Sequence, residues 1–132
     1  MIYPNDADVI LLLCEDARLE IGNKITIIGW YVGGDILIPQ PNPQPVLQSL
    51  CLIFHIRSGD GEFSVSTKVI DPNGATIVET LVSKISINRG SATAQILKLV
   101  PFSSLYGRYN VELYLEEKAY RRQFAVAAQE AL

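Results

Sequence analysis

The chain contains one histidine and two cysteines, side chains that often serve as catalytic bases and nucleophiles. His55 and Cys51 lie on one face of a predicted strand, and the rise of a strand separates them by about 13 Å. A nucleophile and its base must lie within hydrogen-bonding reach, and the sequence has no Gly-x-Ser-x-Gly elbow. We therefore expect a non-enzymatic protein without catalytic residues, and we interpret His55 as a half-exposed residue of a sheet face.

Acidic side chains are the next candidates for chemistry. Asp35, Asp60 and Asp71 fall in predicted loops, and acids gathered at one end of a β-sandwich are a known way to bind calcium. The turn Asp71-Pro72-Asn73-Gly74 lacks the alternating ligands of a calcium loop, and aspartate commonly forms turns. One histidine and two cysteines supply too few ligands for a four-ligand zinc site. We expect no metal and no cofactor, with calcium as the alternative.

A set of prolines, tyrosines and arginines is predicted to contact a protein partner: Pro41, Pro43, Tyr31, Tyr106, Tyr114, Arg121 and Arg122. The prolines belong to a run with proline at alternate positions, which favours a rigid polyproline II loop. The tyrosines, together with Tyr120, are predicted near loops or at outward strand positions, where tyrosine favours interfaces. The arginines and Lys118 form the one local basic cluster of the sequence. The alternatives are a stiff crossover loop and a solvated, charged edge strand.

Short β-strands are the elements that must position these residues. The 132-residue chain is rich in Ile, Val and Thr, and turn signals separate apolar runs of about 6–12 residues. Apolar and polar residues alternate in several runs, which indicates antiparallel sheets covered on one side. We predict one all-β domain over residues 1–132, an immunoglobulin-like antiparallel β-sandwich of about 7–9 strands with Greek-key connections.

Three local features carry more specific expectations. Gly107-Arg108-Tyr109 resembles a tyrosine corner, which predicts a hydrogen bond from the Tyr109 hydroxyl to nearby main chain. The alternation slips near Gly29, and a β-bulge there would reconcile it. The run from Val9 to Leu13 is apolar on both faces, and Cys51 and Ile53 are more apolar than a free sheet face needs. These last features favour a covered strand and self-association.

Charge and hydropathy bear on the compartment and the partner. The net charge is −3 and the isoelectric point is about 5.1, which argues against nucleic acid or an anionic membrane as the main partner. No apolar run near the N-terminus reaches the length of a signal peptide or a membrane span. We expect a cytoplasmic protein with Cys14 and Cys51 reduced, and a disulfide between them is the alternative.

Two stretches of the chain resemble a known family. The first is Leu12-Leu13-Cys14-Glu15-Asp16-Ala17-Arg18 followed by Gly22-Asn23-Lys24-Ile25-Thr26-Ile27-Ile28-Gly29-Trp30-Tyr31. The second joins Val69-Ile70-Asp71-Pro72-Asn73-Gly74 to Gly107-Arg108-Tyr109. Together they resemble an uncharacterised family of small bacterial and phage proteins, although Asn23-Lys24 replaces that family's plain Gly-Lys turn. The resemblance covers most of the chain and implies a β-sandwich domain of unknown function, with no catalytic residues to transfer.

These observations lead to one main functional expectation and two alternatives. We expect a non-enzymatic protein-binding or structural module that docks a protein partner, with a homodimer left open. Because the resembling sequences include phage proteins, the first alternative is a phage- or mobile-element-encoded accessory protein that inhibits a host defence complex. The second is a small hydrolase, which no nucleophile–base arrangement in the sequence supports.

Overall fold

The computed structural model describes residues 1–39, 46–47, 49–99, 102–103 and 105–129. These residues contain no α-helix, and none of their helical structure is long and apolar enough to cross a membrane. A short 3-10 turn at Asp6–Asp8 precedes the strands. The strands are β1 (Val9–Glu20), β2 (Lys24–Trp30), β3 (Asp35–Pro39), β4 (Val46–Leu47), β5 (Leu50–Ile56), β6 (Gly61–Ile70), β7 (Thr76–Glu79), β8 (Ser83–Ile87), β9 (Thr93–Leu99), β10 (Phe102–Ser103), β11 (Gly107–Leu115) and β12 (Lys118–Gln129). The prolines Pro41 and Pro43 lie outside the described residues.

The strands form two main sheets. The first has four antiparallel strands in the order β2-β1-β5-β9. The second has six strands, with the order β3-β12-β11-β6 and with β7 and β8 both paired to β6. β3 runs parallel to β12, so the second sheet is mixed rather than purely antiparallel. β4 and β10 form a separate two-stranded ribbon.

The predicted all-β class is confirmed, but the number of strands is higher than expected. The two main sheets contain ten strands in the described residues, against the seven to nine predicted. Two of the ten, the short strands β7 and β8, pair in succession with the ten residues of β6. The immunoglobulin-like Greek-key connectivity stays a prediction.

One face of each main sheet contributes to a shared hydrophobic core. From the four-stranded sheet come the alternate residues of β5, and from the six-stranded sheet those of β6 and β11. The inward residues of β6 and β11 are Phe63, Val65, Thr67, Val69, Tyr109, Val111, Leu113 and Leu115. Their burial matches the period of two seen in the sequence, because successive side chains of a strand point to opposite faces. Two sheets packed on one core have the layering of a β-sandwich.

The hairpin turn after β6 forms as the sequence predicts. The Asp71 carboxylate accepts hydrogen bonds from the backbone N–H groups of Asn73 and Ala75, each at 2.9 Å. Gly74 takes the positive φ of 86° that such a turn requires. The Asp71 carboxylate therefore forms the turn. Among the described residues, no group of three or more His, Cys, Asp or Glu side chains could hold a metal.

The predicted hydrogen bond of the Tyr109 hydroxyl to nearby main chain is confirmed. The hydroxyl donates to the carbonyl oxygen of Leu105 at 3.0 Å and accepts from the N–H of Leu105 at 2.6 Å. The ring is buried and stacks on Phe124 with centroids 4.9 Å apart. This side chain pins the segment that enters β11 to the core, as a tyrosine corner does.

Tyr120 differs from its prediction. We expected Tyr120 near a loop or at an outward strand position, but its side chain is fully buried and its hydroxyl donates to the Pro4 carbonyl oxygen at 2.7 Å. Tyr120 shares a strand face with Phe124, and that face of β12 points into the core. Burial is the main cause that raises the pKa of Tyr120 to about 12. The expectation was wrong because Tyr120 has the same parity in β12 as Phe124 and Val126, which face the core, and main chain from the N-terminal segment satisfies its hydroxyl.

Candidate functional site: a hairpin arm over the four-stranded sheet

The most distinctive feature of the molecule is a hairpin that we call the arm, residues 15–32. It comprises the second half of β1, the turn after Glu20, β2 and the two residues that follow. The turn takes positive φ at Gly22 (88°) and Asn23 (58°), residue types that tolerate this region. The first half of β1 pairs with β5, so the arm begins where β1 leaves that strand.

The arm folds back over the outer face of the four-stranded sheet. It leaves the sheet after Cys14, which pairs with Cys51. A straight arm would carry Ile25, near its tip, about 30 Å from Ala94 on β9, because each residue of a strand advances about 3.3 Å. Ile25 and Ala94 instead pack against one buried cluster, which includes Ile53. The arm therefore forms a partial third layer on the sandwich.

The bend of the arm lies at Glu15 and Gly29. The register is the same on both sides of this point, from Cys14 with Trp30 to Asp16 with Ile28, but Glu15 and Gly29 do not pair. Gly29 has a φ of 65°, and a Cβ there would lie 2.7 Å from the Glu15 side chain. The irregularity expected near Gly29 is thus present. It is a break without an inserted residue, so the expected β-bulge was wrong.

An ion pair fixes the root of the arm to the sheet. Lys98 on β9 lies 3.2 Å from the Asp16 carboxylate, and Arg18 lies 3.7 Å from the same group. The hydrogen bond from Lys98 is the largest cause that lowers the pKa of Asp16. Because these side chains are partly exposed, the ion pair orients the arm more than it stabilises the fold.

The arm covers both cysteines. Cys14 and Cys51 are opposite each other in the register, both are free, and both are almost fully buried. The Cys14 thiol donates a weak hydrogen bond to the Cys51 carbonyl oxygen at 3.8 Å. Burial raises the pKa of both thiols, that of Cys51 to about 12. A buried thiol with a raised pKa is a poor nucleophile, so these cysteines pack as small apolar side chains.

A cleft of about 680 Å³ opens between the arm tip and the sheet. It is lined by arm residues, by His55 and by the segment that starts β9: Leu19, Glu20, Asn23, Lys24, Ile25, His55, Ser91, Ala92, Thr93 and Ala94. Among the described residues, no side chain forms a hydrogen bond or ion pair with the His55 imidazole. Glu20, Ser91 and Thr93 line the same cleft, but none of these side chains forms a hydrogen bond or ion pair with His55, so the cleft contains no assembled catalytic triad.

Apolar side chains of the arm extend into solvent. Ile21 is 96% exposed, Leu19 77%, Val32 74% and Trp30 54%. Large apolar side chains scattered singly on a surface are ordinary, but a concentration of them marks an interaction site. These four lie in one hairpin of the chain, so the arm is the candidate contact surface.

Comparison with known families identifies a family that this chain matches over most of its length. A family model, described as a family of unknown function (DUF6941), matches residues 9–127. The chain belongs to this family. None of the curated proteins matches it significantly. The match covers the arm, both main sheets and the tyrosine corner, so the arm is part of the family's own domain.

In this DUF6941 domain the tyrosines predicted to bind a partner lie in separate places. Tyr31, at the base of the arm, is half-buried, packs against the main core and donates its N–H to the Leu13 carbonyl oxygen at 2.8 Å. Tyr106 is half-buried and packs against the same core beside the tyrosine corner. Tyr114 lies on the outer face of the six-stranded sheet, where its hydroxyl donates to Glu112 at 3.0 Å. Of these three, only Tyr31 adjoins the arm's exposed apolar surface.

The two arginines point to opposite faces of β12 and do not form one basic cluster. Arg121 is exposed on the outer face and pairs with Glu112 at 2.8 Å. Arg122 shares the inner face with Tyr120 and Phe124, at the opening between the sheets.

Arg122 fastens the start of β1 to β12. Its guanidinium donates to the Val9 carbonyl oxygen, with the closer bond at 2.7 Å, and to the Asp6 carbonyl oxygen at 2.6 Å. A further bond at 3.3 Å joins it to the Asp6 carboxylate. One more bond, at 2.6 Å, goes to the Arg121 carbonyl oxygen, and the others join Arg122 to Asp6 and Val9 of the N-terminal segment.

The exposed apolar residues of the arm were not predicted from the sequence. Their signal was present, because apolar residues flank the turn at Gly22 and Asn23 on both sides: Leu19 and Ile21 before it, Ile25 after it. Alternation was used to assign these residues to a sheet face, and alternation gives no information on whether that face is covered.

Proposed function

We propose that this member of the family is a non-enzymatic protein-binding module that contacts its partner through the arm. The observation that carries the proposal is the exposure of Leu19, Ile21, Trp30 and Val32 within one hairpin. Burying an apolar surface of this kind in a complex is favourable, and a large aromatic side chain such as Trp30 is a frequent anchor of interfaces.

The contrast with the opposite side of the molecule supports the arm as the contact surface. The central strands of the six-stranded sheet carry polar side chains on its outer face that pair with one another, and the exposed apolar residues Leu37 and Ile77 lie on its flanking strands β3 and β7. Gln123 donates to Asn110 at 2.9 Å, and Lys84 lies 3.3 Å from Glu62. Such a face is solvated in the free protein and gains little from being covered.

A non-enzymatic role is supported by the state of the reactive groups. Burial raises the pKa of both thiols, and His55 forms no hydrogen bond or ion pair with the described residues. The acidic net charge of −3 favours a protein partner over nucleic acid. We place this function in the cytoplasm, where thiols stay reduced. The alternative role as an inhibitor of a host defence complex stays a prediction.

Capture from cells of origin tests the proposal. A tagged chain and an Ile21→Asp/Trp30→Asp variant are compared, with Leu81→Asp/Val82→Asp as the matched control. Leu81 and Val82 are also exposed apolar residues, but they lie between β7 and β8 of the other sheet. We expect the arm variant to recover its specific partners at least about tenfold less than the wild type and the control do. Equal recovery by all three chains would contradict the proposal.

A further inference from the structure

We propose that the partner of the arm is the arm of a second copy of this chain, joined by antiparallel pairing of the two β2 strands about a two-fold axis at Ile27. This inference rests on the proposed function and specifies its partner. It makes the contact isologous, because the same strand edge is used on both sides.

The free edge of β2 is the starting observation. β2 ends the four-stranded sheet, and among the described residues no strand pairs with its side away from β1. Six of its seven residues are exposed, whereas β9 at the other end of the same sheet has one exposed residue of seven. An uncovered strand edge presents unpaired N–H and C=O groups, which another strand can satisfy.

The composition of β2 leaves this edge unprotected. Its one charged residue is Lys24 at the start of the strand, and it contains no proline. The edge strands of the other sheet carry more protection: β3 has Asp35 and Pro39, and the short β8 has Lys84. Charges, prolines and short lengths are the usual means of blocking edge pairing. Because β2 has almost none of these features, its edge is open to pairing with another strand.

The sequence of β2 fits an antiparallel copy of itself. An axis at Ile27 places Ile27 opposite its own copy and Thr26 opposite Ile28, so the centre of the contact is apolar or uncharged. The two Lys24 ammonium groups then lie at opposite ends of the paired strands. A parallel arrangement would instead bring them side by side, which like charges oppose. Charge thus selects the antiparallel copy.

The contact is small, so the dimer is weak. A standard stable interface buries about 800 Å² on each partner, and a pair of short edge strands buries less. We therefore expect a monomer–dimer equilibrium that depends on concentration rather than a permanent dimer.

Sedimentation velocity of the purified chain over a concentration series tests the inference. The average mass of the wild type should rise from 14.6 kDa toward twice that value as its concentration increases. Ile27→Lys and Ile27→Asp each place like charges opposite each other at the axis and should weaken the dimer at least about tenfold. An equimolar mixture of the two variants should restore it, because opposite charges then face each other. Ile77→Lys is the control, since Ile77 and Ile27 are both 40% exposed.

Each outcome bears on the inference. Restoration by mixing supports it and shows that the single variants are folded. A wild type that stays monomeric throughout the series overturns it, and so does a dimer that both Ile27 variants retain. If the chain is monomeric while the arm variant still loses its partners in the capture experiment, the inference fails and the proposed function stands.

Discussion

At the scale of single residues, Tyr109 links packing and hydrogen bonding in one side chain. Its ring stacks on Phe124, and its hydroxyl satisfies both main-chain groups of Leu105. Gly107, between Leu105 and Tyr109 in the chain, has a φ of 132°, and a Cβ there would be 2.9 Å from Pro72. The corner therefore also brings the β6–β7 turn against the start of β11, which explains why a glycine precedes the tyrosine by two residues.

Replacing Tyr109 by phenylalanine tests the energetic role of this hydroxyl. The ring and its stacking stay, but the N–H and C=O of Leu105 lose their partner in a part-buried place. We expect Tyr109→Phe to lower the free energy of unfolding by about 1–3 kcal/mol, measured by urea denaturation. Tyr114→Phe is the matched control, because the Tyr114 hydroxyl binds only the Glu112 carboxylate on the outer face. A cost no larger than that of the control would show that the corner hydroxyl contributes little.

At the scale of elements, the strands of the core and the arm differ in how far sequence predicts them. β6 has a strict alternation followed by Asp71 and Gly74, so its hairpin and its inward face can be predicted from the sequence. Local composition decides where the hairpin turns, and the side-chain period decides which face of β6 points inward. The folding of the arm over the sheet involves long-range packing, because Ile25 packs against the buried cluster that contains Cys51 and Ile53, and no local pattern reports such packing.

Gly29 is the residue on which the bend of the arm depends. Gly29→Ala puts a side chain at a φ of 65° and against Glu15. We expect the change to lower the free energy of unfolding by about 1–2 kcal/mol in urea denaturation. It should also speed alkylation of Cys51 in the folded protein, because the arm that covers this thiol is then held less firmly.

A second glycine in the arm region provides the control for Gly29. A Cβ at Gly33 would meet no heavy atom within 4 Å, and its φ lies outside the left-handed region. Gly33→Ala should therefore change stability by less than about 0.5 kcal/mol and leave the alkylation rate unchanged. If the two variants behave alike, the bend does not require the conformational freedom of Gly29.

In the whole molecule, the two outer faces of the sandwich differ in what covers them: one is exposed to solvent and the other is covered by the arm. The six-stranded sheet turns outward a face that is polar on β6 and β11, as their alternation predicts, and that carries the exposed Leu37 and Ile77 on β3 and β7. The four-stranded sheet has a second apolar face around Cys51 and Ile53, which the sequence analysis took as a sign of self-association. The arm covers this face within one chain. The exposed apolar side chains therefore lie one layer further out, at Trp30 and Ile21 on the arm itself.

Because weak acids are buried in these layers, we expect the free energy of unfolding to decrease at alkaline pH. The pKa of Cys51 is raised from its usual 9.0 to about 12, and that of Tyr120 from 10.0 to about 12, with burial as the main cause in each case. The folded state keeps these protons over a range in which the unfolded chain releases them. The stabilisation is complete below about pH 9 and is lost as the pH rises toward 12.

We accordingly expect the free energy of unfolding to be constant near neutral pH and to fall by at least about 1 kcal/mol between about pH 9 and pH 11. Urea denaturation followed by circular dichroism at each pH measures this fall. A Cys14→Ala/Cys51→Ala variant should start from a lower stability but lose less of it between about pH 9 and pH 10, because only the tyrosines then titrate differently in the two states. An equal slope in the two proteins would mean that the thiols under the arm are no harder to ionise than those of the unfolded chain.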